Sequence, residues 1–163
     1  MKVVTLLFLR QNNEILLAMK KRGFGEGKWN GVGGKVDPGE TVDQATKREC
    51  REEIEVVPNK IQQVGRLHFF MANDKDFYHD ARVYQCFDWK GTPKETEEMR
   101  PEWFKLHEIP YDSMWPDDEM WLPLLLDNKK FTGKFTLDND SVENHKLRIV
   151  NSFSNSETGG QDE

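Results

Sequence analysis

The sequence predicts an α+β domain with helices packed on one sheet, and three observations carry that prediction. β-prone runs occur in pairs at both ends of the chain, two helical stretches lie between them, and no repeat or linker divides the whole. At 163 residues the length is that of one domain with a substantial core. Only 36% of residues are hydrophobic, but 10 Phe and 5 Trp concentrate apolar surface in large side chains, enough for a core and an aromatic-lined pocket.

Val3 to Leu9 and Glu14 to Met19 are apolar runs separated by Arg10-Gln11-Asn12-Asn13, which reads as a hairpin with the asparagines in its turn. Val64 to Met71, Ala81 to Trp89 and Pro101 to Leu106 are further strands, followed by a hairpin of Phe131 to Leu137 and His145 to Val150. Together they supply a mixed or antiparallel sheet. The helices are Thr41 to Ile54 and Asp118 to Asn128, with Pro123 blurring the start of the second. From Asn151 to Glu163 the chain turns to Ser, Asn, Gly, Gln and acid, a composition that cannot bury enough surface to order itself. The expected organisation is a domain over 1–150 and a disordered tail over 151–163.

A formal charge of −6 argues against a broad basic face for a nucleic-acid polymer. Free nucleotides stay allowed, because a metal ion can neutralise their phosphates. Cys50 and Cys86 have no metal-ligand spacing and read as reduced thiols of an intracellular protein. The opening Met1 to Leu9 looks like a short signal peptide, but Arg10-Gln11-Asn12-Asn13 follows with no small-residue cleavage site, so it reads as a strand. No stretch approaches the roughly 20 apolar residues that span a membrane. The expectation is a soluble, cytoplasmic monomer without a membrane partner.

Thr41-Val42-Asp43-Gln44 forms a capping box that defines the start of the first helix. At about 100° per residue, Val42, Ala45, Glu49, Glu52 and Glu53 fall within an arc of roughly 100°. The three carboxylates thus continue the stripe that should pack on the sheet, and Glu49 and Glu53 are like-charged i,i+4 neighbours. A cation belongs there, and hard oxygens on one face suit Mg²⁺. Taken alone, Arg48-Glu49-Cys50-Arg51-Glu52-Glu53 reads instead as a solvated face laced by ion pairs.

Context reverses that reading. Gly34, Glu40, Arg48, Glu49, Glu52, Glu53 and Val56 fall at the spacing of the Nudix box, so the segment resembles Nudix hydrolases. Cys50 stands at an apolar position of the motif and Glu55 where the motif has Gly. A non-Gly residue in the left-handed conformation there costs about 1 kcal/mol, or the helix ends differently near Pro58. The resemblance implies the Nudix fold, an α/β/α sandwich with a mixed central sheet. It also implies divalent metal, Mg²⁺ or Mn²⁺, at Glu49, Glu52 and Glu53 with Gly34 beside them, and Arg48 orienting those acids. The catalytic base is Glu53 or Glu98, the latter matching the family's additional metal-associated Glu.

The resemblance continues through Met19 to Gly25, Trp29-Asn30-Gly31, Gly91-Thr92-Pro93, Glu98 to Pro101 and Met114 to Asp118, which are similar to the animal-type branch acting on oxidised purine nucleoside triphosphates. It implies that Asn30, Asp117 and Asp118 bond the purine edge, that Phe24, Phe69 and Trp115 enclose the ring, and that Thr5 and Lys20 join the pocket wall and its phosphate side. Each has a plainer reading: a helix cap for the aspartates, core for the rings, a turn for Asn30 and a solvated rim for Lys20-Lys21-Arg22. Between Met71 and Tyr84 the resemblance is weakest, and Phe77 or Tyr78 there can alter the pocket roof. The implied activity is hydrolysis of substrates such as 8-oxo-dGTP and 2-oxo-dATP to monophosphate and pyrophosphate, cleansing the nucleotide pool. Rivals are a hydrolase of another diphosphate compound, such as ADP-ribose, a dinucleoside polyphosphate or capped RNA, and a nucleotide-binding module without turnover.

Overall fold

The computed structural model describes residues 1–153. The segment from 154 onward, most of the expected tail, lies outside the described residues. Eight strands and two α-helices follow in the order β1 (Lys2–Gln11), β2 (Glu14–Lys20), β3 (Trp29–Asn30), α1 (Val42–Ile54), β4 (Val57–Met71), β5 (Asp74–Lys90), β6 (Met99–Lys105), α2 (Asp118–Leu126), β7 (Lys130–Asp138) and β8 (Ser141–Val150). The sheet runs β3-β2-β1-β5-β4-β7-β8, with β6 also paired to β2. Pairs β1–β5 and β4–β7 are parallel and the rest antiparallel, so the sheet is mixed.

Alternation along the central strands divides the core in two. Phe8, Ile15 and Leu17 face one side, where Trp121, Leu122 and Leu125 of α2 meet Phe131 and Phe135. Leu7, Leu9, Leu16 and Ala18 face the other, where Val42, Cys50 and Ile54 of α1 pack. One helix per face makes the α/β/α sandwich. Both cysteines are buried as free thiols.

Three differences from the sequence reading have physical causes. β4 and β5 form a hairpin longer than expected, because its polar tip, 72–80, lacks the apolar run that signals a strand. β3 is two residues long and left no periodic trace. Arg10, read as a turn residue, is buried in β1, where its guanidinium donates to the carbonyls of Leu125 and Leu126 and to the side chains of Gln85 and Asn128, satisfying the C-terminal end of α2. At the end of α1, Glu55 takes the left-handed conformation with φ 60°, so the helix stops where the motif glycine would stop it.

β1 and β2 pair only near their turn and then diverge. The segment 32–36 fills the gap along β1: Leu7 N–H donates to Val32 carbonyl at 2.6 Å, Thr5 N–H to Gly34 carbonyl at 2.8 Å, and Val36 N–H to Val3 carbonyl at 3.0 Å. That insertion carries Gly33 and Gly34 to the acidic face of α1.

Candidate functional site

The capping box forms as its sequence dictates, with Gln44 N–H donating to the Thr41 hydroxyl at 3.1 Å and Thr41 N–H to the Gln44 side chain at 2.9 Å. It sets the phase of α1, so that Glu53 and Glu49 emerge toward Gly33 and Gly34 while Glu52 lies beside them, bonded to Arg48. Glu53 is 6% exposed and its Oε1 accepts from Gly33 N–H at 2.9 Å. Glu49 lies so close to Gly34 that a Cβ there would sit 1.8 Å from its Oε2 and displace the carboxylate, while a Cβ at Gly33 would sit 1.9 Å from the Thr5 carbonyl, which only glycine avoids. The Gly34 carbonyl is turned to β1, where it accepts from the Thr5 N–H.

Arg48 ties the set together. Its Nε and Nη2 donate to Glu40 at 2.6 and 3.0 Å, its Nη1 to Glu49 and Glu52 at 3.2 Å each, and Nη2 also to the Lys35 carbonyl at 3.0 Å. Glu40, a motif position to which the sequence assigned no task, is therefore the residue that aims Arg48. Its carboxyl is lowered by the bond from Arg48, while the Arg48 guanidinium is raised by the same bond.

Burial pushes the Glu53 carboxyl up to about 8, with the Gly33 N–H opposing and Glu49 adding to the rise. Burial also raises Glu49, against the pull of Arg48. Two like-charged, desolvated carboxyls above a glycine cradle are unfavourable unless a cation joins them, and their hard oxygens fit a divalent ion such as Mg²⁺. Among the described residues no three acids already converge at ligand spacing.

Glu98 precedes β6 and meets Arg22, whose Nε and Nη2 donate to its Oε1 at 3.2 and 2.6 Å. That bond holds the Glu98 carboxyl below its ordinary value. Lys21 Nζ donates to Glu95 at 2.7 Å and to the Thr96 carbonyl at 2.9 Å. Lys21 and Arg22 are thus partnered rather than a merely solvated rim. Lys20 favours the charged forms of both Glu53 and Glu98, which places it on the acidic side of the site.

Next to this face, past Thr5, opens a cavity of about 130 Å³. An apolar cavity of about 150 Å³ accepts benzene, so the space suits a small aromatic ring system. Thr5, Phe24, Asn30, Phe69, Trp115, Asp117 and Asp118 all line it. Phe24 is 60% exposed and stacks on Trp115 at 5.1 Å, while Phe69 stacks on Phe135 at 5.9 Å. The Asn30 Oδ1 accepts from Gly31 N–H at 2.9 Å.

Asp117 and Asp118 sit at the start of α2, yet Asp117 makes no side-chain cap. Its Oδ2 accepts instead from Trp121 Nε1 at 2.6 Å. Both aspartates are 2% exposed, and Asp117 Oδ1 and Asp118 Oδ2 are buried without a hydrogen-bond partner. Burial raises Asp117, and burial followed by the charge of Asp117 raises Asp118 well above its ordinary value. The two carboxyls are also close enough to bond each other when one holds a proton, and such a pair on a pocket wall offers both a donor and an acceptor to a polar ligand.

The structure thus gathers Thr5, Phe24, Asn30, Phe69, Trp115, Asp117 and Asp118 around one cavity and Lys20, Arg48, Glu49, Glu52, Glu53 and Glu98 around the acidic face. It adds Phe77 and His79 of β5 to the lining, and sets Lys28 Nζ 5.3 Å from the ring centre of Trp115, a lining residue. Phe77 was named from sequence only as a possible change to the roof, and His79 was missed. The period-two spacing of Phe77, His79 and Ala81 was the available signal, but it says nothing of which face the row joins.

Residues 1–125 match the family model described as the NUDIX domain. The chain is 44% identical over 153 residues to the mouse oxidized purine nucleoside triphosphate hydrolase, covering 93% of this chain and 97% of that protein. It is 42% identical over 150 residues to the zebrafish (Danio rerio) protein of the same name, covering 91% and 96%. Among solved structures, a MutT protein from Bacillus halodurans superposes with a TM-score of 0.77 at 21% identity, over 90% of this chain and 97% of that one.

Proposed function

The chain belongs to the NUDIX family, and from that premise we propose that it hydrolyses oxidised purine nucleoside triphosphates to the monophosphate and pyrophosphate. One observation carries the reading: the adjacent buried carboxyls of Asp117 and Asp118, with Oδ1 of the first and Oδ2 of the second accepting no bond, in an aromatic-walled cavity that adjoins the acidic face of α1. The names of the mouse and zebrafish relatives support it.

In this reading the purine lies between Phe24, Phe69 and Trp115, with Asn30, Asp117 and Asp118 at its edge. Adjacent buried carboxyls disfavour double ionisation and share a proton, so one donates to a base oxygen while the other accepts from a base N–H. Moving that proton reverses the pattern, which lets one pocket take both 8-oxo-dGTP and 2-oxo-dATP. The phosphate chain passes Thr5 and Lys20 toward the glutamates.

Glu49, Glu52 and Glu53, with Glu98 nearby, would hold Mg²⁺ or Mn²⁺, which when bound supplies polarisation of the phosphate chain and a more acidic attacking water. Arg48, aimed by Glu40, positions Glu49 and Glu52. Glu53 and Glu98 are the two groups placed to take the water's proton, Glu53 held by the Gly33 N–H and Glu98 by Arg22. The net charge of −6 supports a free nucleotide as substrate rather than a nucleic-acid polymer.

The test is a panel of dGTP, 8-oxo-dGTP, dATP, 2-oxo-dATP, ADP-ribose and a dinucleoside polyphosphate, assayed with Mg²⁺, with Mn²⁺ and with chelator. The expected result is metal-dependent pyrophosphate release with the highest kcat/KM on the oxidised triphosphates. Equal efficiency on oxidised and unmodified bases, or orthophosphate as first product, overturns the reading.

A further inference from the structure

His79 stands half-buried on the sheet wall of the pocket, in the stretch that resembles the family least. Its ring centre lies 4.2 Å from that of Phe77 and 6.4 Å from that of Phe24, so a collar of Trp115, Phe24, Phe77 and His79 borders the cavity. Pairing sets Phe69 of β4 and Lys2 of β1 on either side of it. The aspartates come from the other wall, at the start of α2.

The polar groups of the lining are differently committed. Thr5 is bonded to Gly34, Asn30 Oδ1 to Gly31 and Asp117 Oδ2 to Trp121. No side-chain hydrogen bond within the described residues engages the His79 ring, which leaves both nitrogens for a ligand. A planar base in an aromatic slot presents opposite edges to opposite walls. One edge of a purine belongs to its six-membered ring, the other to its five-membered ring.

We infer that His79 selects the base by bonding the five-membered-ring edge of the purine while Asp117 and Asp118 bond the six-membered-ring edge. The inference rests on the proposed substrate class. Oxidation at C8 places a carbonyl acceptor on the five-membered edge, and an imidazole N–H can donate to it, which the phenylalanines of the collar cannot. Oxidation at C2 of adenine alters the opposite edge and leaves the His79 side unchanged. Burial, then Lys2 and the terminal amino group, lower the pKa of the imidazole, which favours the neutral ring with one donor and one acceptor.

His79→Leu removes the polar contact and His79→Gln retains a donor, so steady-state kinetics of both with four substrates tests the assignment. The ratio of kcat/KM for 8-oxo-dGTP over dGTP should fall roughly fivefold in His79→Leu, mainly through KM, and recover in His79→Gln. The ratio for 2-oxo-dATP over dATP should stay within about twofold of wild type. Unchanged ratios, or an equal fall in both, would overturn the assignment and leave His79 as an apolar wall. A wild-type enzyme without preference for either oxidised base would overturn the proposed substrate class and this inference with it, and so tells the two failures apart.

Discussion

Two helices each bring carboxylates to this site, and the two sets are treated in opposite ways. On α1 the acids are bound up in advance: Arg48 spans Glu40, Glu49 and Glu52, Gly33 N–H holds Glu53, and Thr41 caps the helix without using any of them. On α2 Asp117 stands where a cap belongs yet bonds Trp121 instead, and it and Asp118 each keep one buried oxygen that no N–H reaches. Unsatisfied burial of this kind lowers stability. It persists where a ligand restores the missing bonds, so the contrast separates acids arranged for a cation from acids arranged for a hydrogen-bonding base.

The largest effect should come from the α1 set. Glu53→Gln keeps an acceptor for Gly33 N–H but removes the ionisable carboxyl, and turnover should fall about 100- to 10,000-fold with the melting temperature unchanged or raised. Near-normal turnover by the folded variant would dissolve the distinction between the two acid sets.

On α2 the expected effect is on choice rather than rate. An amide cannot exchange a proton, so Asp117→Asn and Asp118→Asn should each hold one donor pattern and shift the ratio of kcat/KM for 8-oxo-dGTP and 2-oxo-dATP by about tenfold. Measuring both substrates on both variants decides it, and an unchanged ratio in each would return the aspartates to a passive role.

Asp118 should also leave a mark on stability. Its folded pKa is raised by burial and then by Asp117, so the folded state keeps a proton that the unfolded chain releases near pH 4. The contribution of Asp118 is therefore fully present below that pH and is lost as pH rises toward the folded pKa. Melting curves across this window should slope less steeply downward for Asp118→Asn than for wild type, and parallel curves would show that the carboxyl is not desolvated as described.

The smallest effect tests the caps themselves. Thr41→Ala should cost about 1 kcal/mol of stability by denaturant titration, with kcat/KM within about twofold of wild type. Asp117→Ala removes no cap bond but strands the buried Trp121 N–H, so its loss should shrink when Trp121→Phe removes that donor as well. An Asp117→Ala loss unchanged by Trp121→Phe would place Asp117 back in the capping role its sequence position suggests.

How far each set was legible follows from the range of the interactions that build it. The acidic face of α1 was readable because the capping box and the helical period act over four residues or fewer, and they determine its direction before any tertiary contact forms. The Nudix-box spacing belongs to the same local order, and it carried Glu40 and Arg48 to their positions without disclosing that they would bond each other. The pocket depends on longer reach. Asp117 reads as a cap until Trp121, packed between Phe8 and Phe131, offers its indole N–H. His79 and Phe77 gain their place from the pairing of β5 with β1 and β4, and segment 32–36 reaches α1 only because β1 and β2 diverge. A one-residue change of register would turn His79 and Phe77 to the opposite face, and the composition of those strands does not distinguish the two arrangements. Helix period and capping were thus determined by the sequence itself. Which polar groups share a cavity was decided by tertiary structure, because strand register answers to burial summed over the whole sheet.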